Sequence, residues 1–489
     1  MTAYADLMSF QRDTEALGQV MQRLGWDQET VMPRGSADQR SEEMAALEGV
    51  LHARRTDPRL GDWLATAEAQ DEMSRANLRE IRRRYERNLK VPARLAAEIA
   101  RVTSRAQGHW AEAKRNEDVA AFLPVLEEVV RLRREEGQAI AQNGDVYDAL
   151  LQDYEPGTTA AELRAMFGAL RPLLVALRER IKGAPEAPRL QGTFPEEGQL
   201  RLSDEVARAF GYDFERGRID NAVHPFSSGS GRDVRITTRT NPEDPFNCIY
   251  STIHEVGHAT YEQGVDEAHH LTAIGQGASM GVHESQSRIY ENQLGRSRAF
   301  TGWLYGRMRD IFGDFGIASE EDFFRAANRV GQGFIRTEAD EVQYNLHVLL
   351  RFDLEQAVMR GDLRVADLAA AWNDRFLQDF GFAVDRPSNG MLQDVHWSVG
   401  LFGYFPTYSL GNLYAGCLHE ALRAAVPDLD DHLARGDAGQ AVRWLRDNLQ
   451  RHGSLREPRD TIRHATGQEP AEGPLLDYLE EKFRGLYGL

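Results

Sequence analysis

His254-Glu255-Val256-Gly257-His258 places two imidazoles four positions apart, with a carboxylate beside the first. Four residues of α-helix turn through about 400°, so both rings leave one face a single turn apart. Nitrogens so placed can take two positions on a tetrahedral metal, and the neighbouring carboxylate can reach a water there. This is the equipment of metal-assisted hydrolysis, with Glu255 as general base. The bland alternative is two core histidines with a salt-bridged glutamate. The chemistry requires a helix, and the sequence supplies its signals. Pro245 opens the segment, Ile249, Ile253 and Val256 share the inward side, and Gly264 ends it.

A third ligand must come from elsewhere. The metzincin arrangement would put glycine at 261 and histidine at 264, but these positions hold Tyr261 and Gly264. The gluzincin arrangement takes a glutamate from a following helix. GVHESQSRIYENQLG offers Glu284, 26 positions after His258, behind the Gly-rich loop LTAIGQGASMG that can reverse the chain. His269, His270 and His283 compete for the same role, although His269-His270 lies close to the helix end and also reads as a polar turn.

The elements around these residues read mainly as helix. Helical spacing of apolar residues runs through Asp62 to Lys90, Ala93 to about Lys114, and Phe122 to Ala141, with Pro124 in the first turn of the last. Asp145 to Gly157 breaks the pattern, Thr158-Thr159-Ala160-Ala161-Glu162 starts a new helix with capping residues, and Gly183 to Pro195 is a loop. Between Arg218 and Thr240, IDNAVHPF and DVRITTRT predict two strands or a small hairpin separated by SSGSGR. Helices resume near Pro245. The longest uncharged run, Trp397 to Leu418, is broken by glycines, Pro406 and tyrosines, and predicts buried loop and short helix beside a cavity rather than a membrane span.

The 489 residues carry a formal charge of −18, which disfavours a nucleic acid partner. Two cysteines, Cys248 and Cys417, make no disulfide framework and no thiolate metal site, so any metal rests on histidine and carboxylate. The N-terminus lacks a basic segment followed by an apolar one, and the expected location is cytoplasmic, with no membrane partner.

Six motifs in order resemble the carboxypeptidase Taq family of zinc metallocarboxypeptidases. They are His224-Pro225-Phe226; Asp233-Val234-Arg235-Ile236-Thr237; His254 to His258; His283-Glu284-Ser285-Gln286; Ile335-Arg336-Thr337-Glu338-Ala339-Asp340; and Gly390 to Trp397, which includes Gln393, Asp394 and His396. WDQETVMP and YDALLQDYEPG, nearer the N-terminus, also look like family segments, with Gln152 where an acid is expected. The resemblance implies a mainly α, long-helix gluzincin fold with a deep substrate groove and a small β element near 218–240. It implies one catalytic unit over 1–489, with about 1–215 lining the groove and about 216–489 carrying the metal site, and a homodimer.

With the resemblance admitted, the expected metal ligands are His254, His258 and Glu284, holding one zinc ion, with cobalt suited to the same donors. Glu255 takes the water proton and passes it to the leaving amine. Tyr408 and His396 are the expected oxyanion donors, with Tyr404 a rival to Tyr408. An enzyme acting at a free C-terminal carboxylate needs a local cation, and arginine offers a fork. Arg336 is expected to hold it, unless it merely pairs with Asp340 one turn on. Arg235 and His224 close the end of the groove, unless Arg235 only braces Asp233. Gln393 positions substrate. An endo-acting oligopeptidase on the same scaffold is the alternative activity, and a non-catalytic metal-binding protein a remote one.

Overall fold

The segment carrying HExxH forms a helix over Pro245–Gly264, the limits its sequence sets. Pro245 occupies the first turn, and the Asp244 side chain accepts from the Phe246 N–H. Ile249, Ile253 and Val256 are fully buried. The computed structural model describes residues 2–489. It is 68% helical with one three-stranded sheet, so the mainly α class expected from sequence holds. Among the described residues no helix is long and apolar enough to cross a membrane.

The chain forms two compact units, each assembled from segments on both sides of residue 215. One comprises Met1–Asn88, Ala187–Asn328 and Tyr414–Pro470; the other comprises Leu89–Glu186, Arg329–Leu413 and Ala471–Leu489.

In the first unit the HExxH helix packs on the helix Glu196–Ala209, on the sheet, and on the helix Met280–Arg288 that bears Glu284. Ser279 caps that last helix by accepting from the Val282 N–H. The helix then widens into a π-turn over Ile289–Leu294. Gly257 explains how closely the two helices meet. A Cβ there would stand 2.5 Å from the Gln286 carbonyl oxygen and 2.6 Å from Ser287 Cα, both backbone atoms. The sheet has the order β1 (Ile219–Asn221), β3 (Asp233–Thr238), β2 (Ser227–Ser230). β1 runs parallel to β3, and β2 runs antiparallel with Ser228 opposite Arg235. The expected linker SSGSGR is therefore mostly strand: the turn is only Gly231-Arg232, with Gly231 at φ +64°.

Other expected boundaries move. The helix expected over Asp62–Lys90 is two, Pro58–Thr66 and Glu72–Lys90. The helix carrying Pro124 begins at Val119, capped by Asp118, so this proline lies past the first turn. The break after Asp145 contains a short helix, Val146–Leu151. The helix expected to start within 158–162 begins at Ala160, and Thr159 and Glu162 form a capping box there. Gln152 braces the turn behind the short helix: its Oε1 accepts from the Gly157 N–H and its Nε2 donates to the Thr158 carbonyl.

In the second unit a helix over Glu341–Arg360 is buried on nearly every side and brings Asn345, His347, Arg351 and Glu355 into the interior. Glu355 accepts from the Tyr147 hydroxyl, the Trp397 indole and the Gly403 N–H, and so ties down the glycine-rich loop before Pro406. The uncharged run from Trp397 then enters a helix of 20 residues, Pro406–Ala425, much longer than expected.

Candidate active site

His254 and His258 leave the HExxH helix toward Glu284, and donor atoms of the three lie within 4.8 Å of one another. Glu284 Oε2 is 3.7 Å from His254 Nε2 and 3.4 Å from His258 Nε2. Each imidazole is held through its other nitrogen. His254 Nδ1 lies 2.9 Å from Glu291 Oε2, and His258 Nδ1 lies 2.6 Å from His283 Nδ1. Both Nε2 atoms are thereby turned to the common point. Glu284 is fixed in the same manner: Arg288 Nε donates to Oε1 at 2.6 Å, leaving Oε2 toward the rings, where Ser287 Oγ also reaches it. The π-turn puts Glu291 within reach of both His254 and Arg288.

The local field favours a cation. Burial opposes a charge on His254, yet Glu284 and Glu291 raise its pKa above the ordinary value. Burial would raise Glu284, but Arg288 and His254 hold it well below the carboxylate range. Burial depresses His258 to about 3, keeping its ring neutral as a ligand must be. Two imidazole nitrogens and one carboxylate oxygen, with no thiolate, suit a divalent ion such as zinc or cobalt. The residues present therefore fit the metal that the sequence implies.

Glu255 lies beside this cluster, 7% exposed. Burial first, then the negative charges of Glu284 and Glu291, push its carboxyl up to about 7. A buried acid of that kind exchanges a proton readily near neutrality.

None of the competing histidines joins the metal-ligating atoms. His269 ends a short 3₁₀ turn, His270 Nε2 pairs with the Val265 carbonyl, and His283 stands behind His258. Arg235 makes a two-point contact with Asp233, at 2.7 and 3.0 Å, and stacks on Trp26, while Arg23 holds the same carboxylate. His224 is exposed on the loop between β1 and β2.

The remaining expected residues gather in the second unit. Arg336 is 4% exposed and donates from Nε and Nη2 to Asp394 Oδ1, and from Nη1 to the Tyr344 hydroxyl. The pairing with Asp340 weighed from sequence does not form. Arg336 lies in a 3₁₀ turn, and Asp340 caps the next helix by accepting from Val342 and Gln343 N–H. Fully buried Arg351 takes the other oxygen of Asp394. Gln393, expected to position substrate, is engaged within the protein: its Oε1 accepts from the Arg336 N–H, and its Nε2 donates to carbonyls of Phe334 and Asn389. His396 Nε2 is 3.3 Å from the Tyr408 hydroxyl, while its Nδ1 is buried with no hydrogen-bond partner among the described residues. Burial lowers His396 to about 4, so the ring is neutral. The Arg336 guanidinium sits 4.7 Å from the Tyr408 ring centre.

Glu291, Arg288, Glu262, Arg351 and Glu355 are not singled out by the sequence as parts of the site, and His283, weighed there as a ligand, instead supports His258. Nothing local in IYENQL marks Glu291, and only the folded chain brings it to His254.

A family model for the carboxypeptidase Taq (M32) metallopeptidases matches residues 6–483. Thermostable carboxypeptidase 1 of Thermus thermophilus is 43% identical over 99% of both chains, and carboxypeptidase 1 of Bacillus subtilis is 36% identical over 94% of both. The crystal structure of the M32 carboxypeptidase of Deinococcus radiodurans R1 superposes with a TM-score of 0.97 at 38% identity, covering 100% of each chain. Metallocarboxypeptidase 1 of Trypanosoma cruzi gives a TM-score of 0.95 at 33% identity over 99% of each.

Proposed function

The chain belongs to the carboxypeptidase Taq (M32) family of metallopeptidases, and from that premise we propose how its residues divide the removal of a C-terminal residue from a peptide. The protein is a metallocarboxypeptidase, a hydrolase of peptide bonds. His254, His258 and Glu284 hold one divalent metal, with zinc the ion best matched to two imidazoles and a carboxylate. When bound, the metal supplies Lewis acidity and makes water easier to deprotonate.

Glu255 takes the proton of the attacking water and returns it to the amine nitrogen as the peptide bond breaks. The observation that carries this reading is its place: a buried carboxyl on the same helix as His254 and His258, next in sequence to the first of them. Tyr408 donates its hydroxyl hydrogen to the oxygen on which charge develops, and the neutral ring of His396 supports it, its Nε2–H donating to the Tyr408 hydroxyl oxygen.

Two guanidiniums share one carboxylate in the cluster of Arg336, Arg351 and Asp394, which leaves a formal charge of one positive in a buried setting. That surplus suits the free carboxylate of a peptide. Arg336 meets it through its remaining N–H groups only, since Nε and Nη2 already serve Asp394 and Nη1 serves Tyr344. Arg235 and His224 limit how far the peptide extends past the cleaved bond. Gln393 acts by holding the Arg336 backbone. The family resemblance supports a homodimer, which sedimentation would test. Cys248 and Cys417, both buried and neither in a disulfide, fit a reducing cytoplasm.

The test is a peptide ladder followed by mass spectrometry, using free-acid and C-terminally amidated versions, with and without chelator. Sequential loss of C-terminal residues from the free acid alone, abolished by chelator, is expected. Internal cleavage of both versions would favour the oligopeptidase.

A further inference from the structure

The two metal-facing histidines are held by different chemistry. His254 meets a carboxylate directly, Glu291, as ligating imidazoles commonly do. His258 meets a second imidazole. Its Nδ1 is 2.6 Å from His283 Nδ1, and His283 Nε2 is 2.9 Å from Glu262 Oε1. Glu262 also accepts from the Gly277 N–H at 2.9 Å. All four groups belong to the first unit.

The hydrogen atoms in this chain can be assigned. If His258 presents its Nε2 lone pair toward Glu284, its Nδ1 carries the hydrogen. That N–H can be accepted only by a bare His283 Nδ1, so His283 carries its own hydrogen on Nε2 and donates to Glu262. A hydrogen on both facing Nδ1 atoms is excluded at 2.6 Å. The surroundings prevent His283 from turning away. Its ring packs 5.1 Å from that of Tyr261, and a Cβ on Gly277 would lie 2.6 Å from His283 Cδ2.

We propose that Glu262 and His283 are positioning residues that fix the tautomer and ring angle of His258, and that this pair, through hydrogen bonding, sets how long the protein retains its metal. The proposal rests on the reading above that His258 is a metal ligand. It makes a specific demand at position 283: an acceptor where Nδ1 now stands. Asparagine can offer its Oδ1 at nearly that place, whereas alanine offers nothing.

The experiment measures metal dissociation constants and release rates with a chromophoric chelator, on full-length protein reconstituted with zinc or cobalt, without reference to turnover. His283→Ala is expected to weaken binding roughly 10- to 100-fold, the usual cost of removing such a partner. His283→Asn is expected to recover most of that loss, and Glu262→Ala to lie between. The cobalt d–d absorption should shift in His283→Ala and return toward the parent spectrum in His283→Asn. Gly277→Ala displaces the His283 ring without deleting a hydrogen-bonding group and should weaken retention as well. Melting curves show which variants are folded. Unchanged affinity in folded His283→Ala, or equal loss in the Ala and Asn variants, overturns the proposal. His258→Ala is the control for the underlying reading: if it keeps metal as tightly as the parent, His258 is no ligand and that reading falls instead.

Discussion

At the scale of single residues, Glu255 and Arg336 differ in what they already touch. Glu255 is a buried acid beside the metal ligands, and its pKa is raised by burial to about 7. Glu255→Gln keeps the size and removes the base. Metal content by elemental analysis should stay at the parent level, while kcat falls about 10²- to 10⁴-fold, the usual worth of general-base catalysis. A variant within tenfold of the parent would take that role from Glu255. Arg336 is already engaged with Asp394 and Tyr344. A free two-pronged clamp on the substrate, the natural expectation from an arginine in a sequence, is therefore not available to it, and the proposed contact is partial. One charge-assisted hydrogen bond is worth about 1.5–3 kcal/mol, which corresponds to ~10- to 150-fold in kcat/KM for Arg336→Ala on a free-acid peptide. Arg336→Lys should recover part, because ammonium keeps the charge. If Arg336→Ala leaves discrimination between free-acid and amidated peptides intact, and Arg235→Ala abolishes it, the two arginines exchange roles.

At the scale of elements, what the sequence made legible follows from which signals are local. The HExxH helix could be bounded because Pro245 and Gly264 mark its ends and its ligands repeat at helical spacing. The strand Ser227–Ser230 could not: it has no β-branched or aromatic residue and gains its state from pairing with β3. The break at 67–71 is hidden because Ala67, Glu68, Ala69 and Gln70 all have good helix propensity. Metal ligands announce themselves by spacing, whereas Glu291, His283 and Glu262 act through a ligand, and only the folded chain brings them there. Gly257 lies between these cases. Inside HEVGH it looks like a weak point in a helix, yet backbone atoms of the Glu284 helix occupy the space a side chain would need. Gly257→Ala should force the two helices apart, at about 1–3 kcal/mol for overpacking, and loosen Glu284 from the histidines. A lowered melting temperature together with at least roughly tenfold weaker metal binding is expected. Parent-like affinity would mean that the helices can separate without disturbing the ligands.

At the scale of the whole molecule, the formal charge of −18 works against the substrate that the site selects. Every substrate brings a C-terminal carboxylate, and an acidic peptide brings more. The long-range field slows the approach of such peptides and speeds basic ones, and salt screens it over about 8–10 Å near physiological strength. The positive surplus of Arg336, Arg351 and Asp394 is buried, so salt weakens it far less. The two effects separate by where they act. Raising ionic strength from about 0.01 to 0.3 M, a range over which the screening length falls severalfold, should increase kcat/KM for peptides rich in Asp and Glu. It should decrease kcat/KM for matched peptides rich in Lys and Arg. The change should appear mainly in kcat/KM, because encounter is affected and the chemical step is not. Peptides with one C-terminal residue and varied charge several positions upstream make the comparison, because the contact with the terminal carboxylate is then common to all. Equal salt dependence for acidic and basic peptides would show that the net charge of the chain has no part in choosing substrates.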